Sequence, residues 1–116
     1  MSSDAPTRHR FLVYAPDRTE EGTLQKRLSV RQAHLDGAKN HFSNGLVRVG
    51  GAMVTPESIA SPEAPKKMIG SAFIFEAENI DQVWDAIKND VYYTSGVWDT
   101  EKLTVTPYLI ATPFNI

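Results

Sequence analysis

The chain has 116 residues, 41% of them hydrophobic and 22% charged, with a formal net charge of -2. That length suits one domain around one core, the near-neutral balance argues against a nucleic-acid binder, and no apolar run approaches the ~20 residues that span a bilayer. Cysteine is absent, which excludes a disulfide framework, thiolate metal sites and a cysteine nucleophile.

Residues 1–9 are polar, contain Pro6 and lack the apolar stretch of a secretory signal, so they read as a tail on a cytoplasmic protein. One domain is expected over residues 10–110, with a second, apolar tail at 111–116. Phe11 to Ala15 is an apolar run ended by Pro16-Asp17, the pattern of a buried strand and a turn. Residues 16–28 form a charged loop with a helical turn at Leu24 to Arg27, where the Lys26-Arg27 pair reads as solvated. Ser29 and Gln32 match a capping box that opens a helix, and Asn44-Gly45 closes it.

Leu46 to Val54 reads as a strand loosened by Gly50-Gly51, and the prolines at 56, 62 and 65 make 55–67 an exposed hairpin loop. Met68 to Glu76 alternates as a strand, with Ile69, Ser71, Phe73 and Phe75 on one side. Asn79 and Gln82 give a second capping box, and Ile80, Val83, Trp84 and Ile87 follow at helical spacing. Asn89-Asp90 ends that helix, Val91 to Gly96 is irregular, and Leu103 to Ile110 is the last strand.

The order is β-α-β-β-α-β. It predicts an α+β, ferredoxin-like fold: a four-stranded antiparallel sheet with two helices on one face. The other sheet face is left open, and a second copy of the sheet is the expected cover, giving a homodimer.

Chemistry concentrates in the first helix. Leu35, Ala38 and Phe42 form an apolar stripe at ~100° per residue, and Arg31 falls inside it, one turn before Leu35. An arginine aimed at a core requires an anion, from the protein or from a ligand. His34 is its neighbour on the helix surface, three residues on. His41 lies further toward the polar side, and His9 belongs to the tail or the edge of the first strand. The histidine spacing fits no HxxxH motif, so neither metal nor cofactor is expected. Asp90 sits past a helix end, where the helix dipole gives a carboxylate no stabilisation. An aspartate there is also an ordinary turn former. Tyr92, Tyr93 and Trp98 surround it with aromatic side chains.

Arg27 to Arg31, Ala33 to Leu35, Asp90 to Tyr92, Gly96-Val97 and Pro107-Tyr108 resemble the YciI-like (YCII-related) family of small α+β proteins, with weaker agreement at Gly50-Gly51 and Gly70-Ser71. The resemblance implies a ferredoxin-like unit paired into a dimeric α/β barrel, similar to muconolactone isomerase. It implies a histidine–aspartate pair suggestive of enzymatic function, at His34 and Asp90, with Arg31 matching the arginine three residues before the histidine. It also implies elimination or isomerisation of small, often aromatic-derived or chlorinated molecules. This chain departs from the pattern in having Asp90-Val91 for Asp-Pro, Gly50-Gly51 for Gly-Pro, and Gln32 for a proline of the first helical turn.

Two readings follow. In the first, the protein is a lyase or isomerase without metal, acting on a small carboxylate or phenolic substrate. His34 is its general base and Asp90 orients the base. Arg31, Ser71, Tyr92, Tyr93 and Trp98 bind substrate between helices and sheet. In the second, it is a noncatalytic ligand-binding or accessory dimer with a structural Arg31–Asp90 pair. A His34–Asp90 hydrogen bond beside a cavity favours the first; an Arg31–Asp90 bond with His34 in solvent favours the second.

Overall fold

The computed structural model of the protein describes residues 7–113. The two expected tails lie largely outside them, and the first strand takes in His9. Strand β1 (His9–Pro16) alternates inward Phe11, Val13 and Ala15 with outward Leu12 and Tyr14. It occupies an inner position of the sheet. One edge pairs with β3 (Met68–Ala77), the other with β4 (Thr104–Pro107), and β2 (Val47–Val54) pairs with the far edge of β3. All three pairings are antiparallel, in the order β2-β3-β1-β4. The ferredoxin-like architecture is therefore as expected.

The register sets the core. Phe11 faces Phe75, Val13 faces Phe73 and Ala15 faces Ser71 across the β1–β3 ladder, so their side chains share the inner face. Gly70 has no room for a side chain, since a Cβ there would lie 2.8 Å from the Ala15 carbonyl oxygen and against the Met53 methyl. Burying the apolar part of this layer at ~25 cal/mol per Å² is the main stabilising term, as in any domain of this size.

Each crossover carries two helical segments: in the first they correspond to the helical turn and the helix expected there, and in the second a short helix is added to the one expected. Between β1 and β2 lie α1 (Thr23–Ser29) and α2 (Arg31–Ser43), separated only by Val30. The Val30 amide closes α1 by donating to the Lys26 carbonyl at 3.2 Å, and the Val30 carbonyl opens α2 by accepting from the His34 amide at 3.1 Å, so Val30 caps the end of one helix and the start of the next. This removes the expected Ser29–Gln32 capping box. Ser29 is still helical, its hydroxyl donates to the Lys26 carbonyl, and the Gln32 side chain donates to Asp36.

Between β3 and β4 lie α3 (Ile80–Lys88) and α4 (Val91–Thr94). Asn79 caps α3 through the Gln82 amide, and the Gln82 side chain accepts from the Glu78 amide, one residue before the position a capping box uses. Val83 and Ile87 of α3 pack into the core with Val97, Trp98 and Leu103. The stretch at 91–96, expected to be irregular, is one helical turn. The last strand stops at Pro107, short of the expected Ile110. The loop at 55–67 is anchored by a 3-10 turn at Pro56–Ile59, whose Ser58 is buried and accepts from the Lys67 amide. Among the described residues no helix is long and apolar enough to cross a membrane.

Candidate active site

α2 and the following strand reverse direction at residues 44–46, which lays the helix along the outer strand β2. A cavity of about 370 Å³ opens between them, floored by β3. His34 and Arg31 reach it from α2, Arg27 from α1, Ser71 and Phe73 from β3, and Tyr92 from α4.

His34 is nearly buried. Its Nδ1 lies 2.9 Å and 2.8 Å from the two carboxylate oxygens of Asp90. A ring nitrogen facing a carboxylate carries the hydrogen in either protonation state, so Nδ1 donates and Nε2 is the basic atom of the neutral ring. The ring stacks on Tyr92 at 4.0 Å between centroids and meets Trp98 edge-on at 6.2 Å, which fixes its plane.

Asp90 is fixed as well. It is the N-cap of α4, and its Oδ1 accepts from the Tyr92 amide at 2.8 Å. The expectation that no helix favours an acid here is thus corrected. Asp90 follows one helix but begins another, and the N-terminal end of a helix favours a carboxylate.

Arg31 departs from the expected inward position. It is exposed at the mouth of the cavity, not sunk in the core, and makes no ion pair with Asp90. The apolar stripe beside it is also partly open, with Leu35 39% and Phe42 64% exposed. α2 does not press its apolar face into the core; it overhangs the cavity with it.

The arginine that is buried is Arg27, read from the sequence as solvated. It is 2% exposed; one terminal nitrogen donates to Asp17 at 2.7 Å and the other to the Ser71 hydroxyl at 2.9 Å, and its guanidinium lies 4.5 Å from the Tyr92 ring centre. The domain does contain a buried arginine–aspartate pair, but it is Arg27–Asp17. Burial pushes the Asp17 carboxyl above the usual carboxylate range, against the pull of Arg27. Burial likewise raises the Tyr92 phenol, opposed by the positive charges of Arg27 and Arg31. A signal for Arg27 was present. Arg27, Arg31 and His34 stand at i, i+4 and i+7, the spacing of one helical face, and all three line the cavity although α1 and α2 are separate helices that meet at Val30.

Ser71 lines the cavity and accepts from both Arg27 and the Trp98 indole N–H, the latter at 3.2 Å. A hydroxyl has two lone pairs and one proton. With both acceptor positions used, the Ser71 hydroxyl, 1% exposed, donates no hydrogen bond to protein among the described residues. Two expected aromatic contacts are corrected. Trp98 is fully buried behind Ser71 and does not rim the cavity. Tyr93 points to a separate surface hollow beside Trp84, Asp85 and Lys88. The reason is the helical turn of α4, which sends neighbouring residues 92 and 93 in different directions. His41 is outside the cavity, His9 is exposed, and no group of three His, Cys, Asp or Glu side chains that could hold a metal occurs among the described residues.

Known proteins are similar to this chain in structure or in sequence. The structure of TftG from Burkholderia phenoliruptrix AC1100, a 5-chloro-2-hydroxyhydroquinone dehydrochlorinase in complex with 2,5-dihydroxybenzoquinone, superimposes with a TM-score of 0.71 and 28% identity, covering 86% of this chain and 93% of that one. Protein YciI of Escherichia coli O6:H1 is 30% identical over 98 residues, 84% of this chain and 94% of YciI. Xenovulene A biosynthesis cluster protein asL2 of Sarocladium schorii is 28% identical over 104 residues, 85% of this chain and 86% of asL2. Aspartate kinase FUB3 of Fusarium oxysporum f. sp. lycopersici is 28% identical over 101 residues, but the chain spans only 18% of its length. The family model for the YCII-related domain matches residues 10–107, from the first inward strand to the last, and the chain belongs to that family.

Proposed function

We propose that the protein is a small-molecule enzyme, a lyase or isomerase that moves a proton on a carboxylate, phenolic or quinone-like substrate. The observation that carries this reading is the Asp90-bound His34 at the wall of a cavity. Nε2 of His34 takes a proton from carbon next to a carbonyl, leaving an imidazolium paired with Asp90 and an enolate oxygen facing cations. Arg31 and the Ser71 hydroxyl receive that oxygen, and the Arg27–Asp17 pair holds Ser71 in place. In elimination, the electron pair expels an anionic leaving group from the neighbouring carbon. In isomerisation, the imidazolium returns the proton to a different carbon. The similarity to TftG, a dehydrochlorinase, supports the elimination branch.

The test is a panel of chlorinated and unsubstituted hydroxyhydroquinones and hydroxybenzoquinones, assayed for chloride release and for deuterium uptake from solvent. Asp90→Asn is the informative variant. Asparagine caps a helix as well as aspartate does, so stability should change little. Turnover should fall about hundredfold or more, because the amide cannot hold the imidazolium. Full activity in Asp90→Asn, or no turnover and no exchange with any member of the panel, overturns the reading.

The enzyme acts as a cytoplasmic homodimer whose partner covers the outer sheet face. Leu12 and Tyr14 are 41% and 48% exposed there. They lie beside an ion cluster in which Glu76 pairs with Arg10 at 3.2 Å and Arg48 at 3.1 Å. Tyr14→Glu puts a charge in the middle of that face. Light scattering should report a dimer for the unaltered chain and a monomer for the variant; a monomer in both cases removes the dimer.

A further inference from the structure

The cavity is longer than its reactive end requires. From Arg31 to Phe42 the lining of α2 extends over eleven helical steps, about 16 Å at the helical rise. Its two ends differ in chemistry. Because α2 and β2 run in opposite directions, Arg31 stands at the end where Ala52 pairs with Ser71, and Phe42 at the end where Val47 pairs with Phe75 and Gly50 with Phe73. Arg27, Arg31, His34, Ser71 and Tyr92 thus gather at one end. Ala38, Phe42, Val47 and Gly50 line the other, with Lys39 at its exposed rim and Phe73 between the two, its ring centre 6.4 Å from that of His34.

Arg27 is neutralised by Asp17 and Asp90 is taken by His34. Arg31 at one end and Lys39 at the exposed rim of the other are therefore the cavity cations without an ion pair among the described residues, and Arg31 is the one with a buried hydroxyl, Ser71, at its end. Gly50 keeps the far end open, since a Cβ there would lie 2.9 Å from the Phe73 ring and push against it. Leu35 and Phe42 leave apolar surface exposed along the same side, the mark of a site that something apolar covers.

We infer that the substrate is amphipathic, with an anionic oxygen head at Arg31 and Ser71 and an unbranched apolar tail laid along α2 to Phe42. This rests on the cavity being the substrate site, but its test does not depend on proton transfer.

Straight-chain saturated carboxylates from butanoate to dodecanoate, each below its micelle concentration, are titrated calorimetrically into the protein. Affinity should rise about threefold to fourfold per methylene until the tail reaches Phe42, and then level off. Ala38→Trp fills the tail end, so the rise should stop at short chains while butanoate affinity is kept. Phe42→Ala, at an exposed position that the fold does not need, should weaken the long chains about tenfold and leave the short ones unchanged. Matching primary alkylamines should bind at least tenfold more weakly than the carboxylates. Affinity independent of chain length, equal slopes in the unaltered protein and both variants, or amines binding as well as carboxylates each overturn the inference. Saturated carboxylates need no chemistry at His34, so the titration remains decisive even for a protein inactive toward hydroxyquinones.

Discussion

His34→Ala is expected to lower turnover of an accepted substrate by about 10²–10⁴-fold, the range attributable to a positioned general base. The substitution removes the ring nitrogen bonded to Asp90 while leaving the capping bond from the Tyr92 amide to Asp90 in place. α4 should therefore remain docked, and circular dichroism should match the unaltered protein. His34→Gln is the useful companion: it retains a hydrogen-bonding side chain of similar reach but has no basic nitrogen. If activity survives in both variants, His34 is a packing residue against Tyr92 and the proton-transfer proposal is wrong. If activity is lost but returns with added imidazole in His34→Ala, the base assignment gains direct support.

The second large effect is on stability. Arg27→Ala is expected to destabilise the domain by about 3–5 kcal/mol, because it leaves the Asp17 carboxylate in the interior without its counter-ion. Ser71 also loses one donor. The cost should come mainly from the orphaned charge. The double replacement Arg27→Met with Asp17→Leu should accordingly recover most of the loss, since an apolar pair of similar size is often as stable as a buried ion pair. Urea denaturation of the two variants separates the possibilities. Equal destabilisation of both would mean that the guanidinium acts through packing on Tyr92. No destabilisation in Arg27→Ala would mean that water replaces the pair at no cost.

The architecture was legible because apolar runs and periodicity carry it. Phe73 and Phe75 alternate in β3, whereas β1 reads as a continuous apolar run and only the structure shows that Leu12 and Tyr14 face outward. The His34–Asp90 juxtaposition was legible only through the family resemblance, because nothing local to either residue indicates a partner 56 positions away. Arg31 and Arg27 exchanged places for an identifiable reason. Two arginines four residues apart share a face, and the apolar neighbours of Arg31 suggested burial. The cavity beneath α2 exposes that face, and Arg27, which reaches the inner strands at Ser71 and the end of β1, is the one that meets a buried carboxylate. The Ser29 cap failed in the same region, since Ser29 is the last residue of α1 and Val30, one position later, takes the cap position of α2. Asp90 was misjudged because a four-residue helix is too short to announce itself by periodicity.

The imidazole and its carboxylate arrive from opposite halves of the chain, one before the 55–67 loop and one after it. Neither half by itself contains both residues, so the His34–Asp90 pair is a product of tertiary closure and not of any local segment. A chain cleaved within that loop would be inert as separate fragments, and recovered turnover would then serve as a built-in indicator that the two pieces had found each other again.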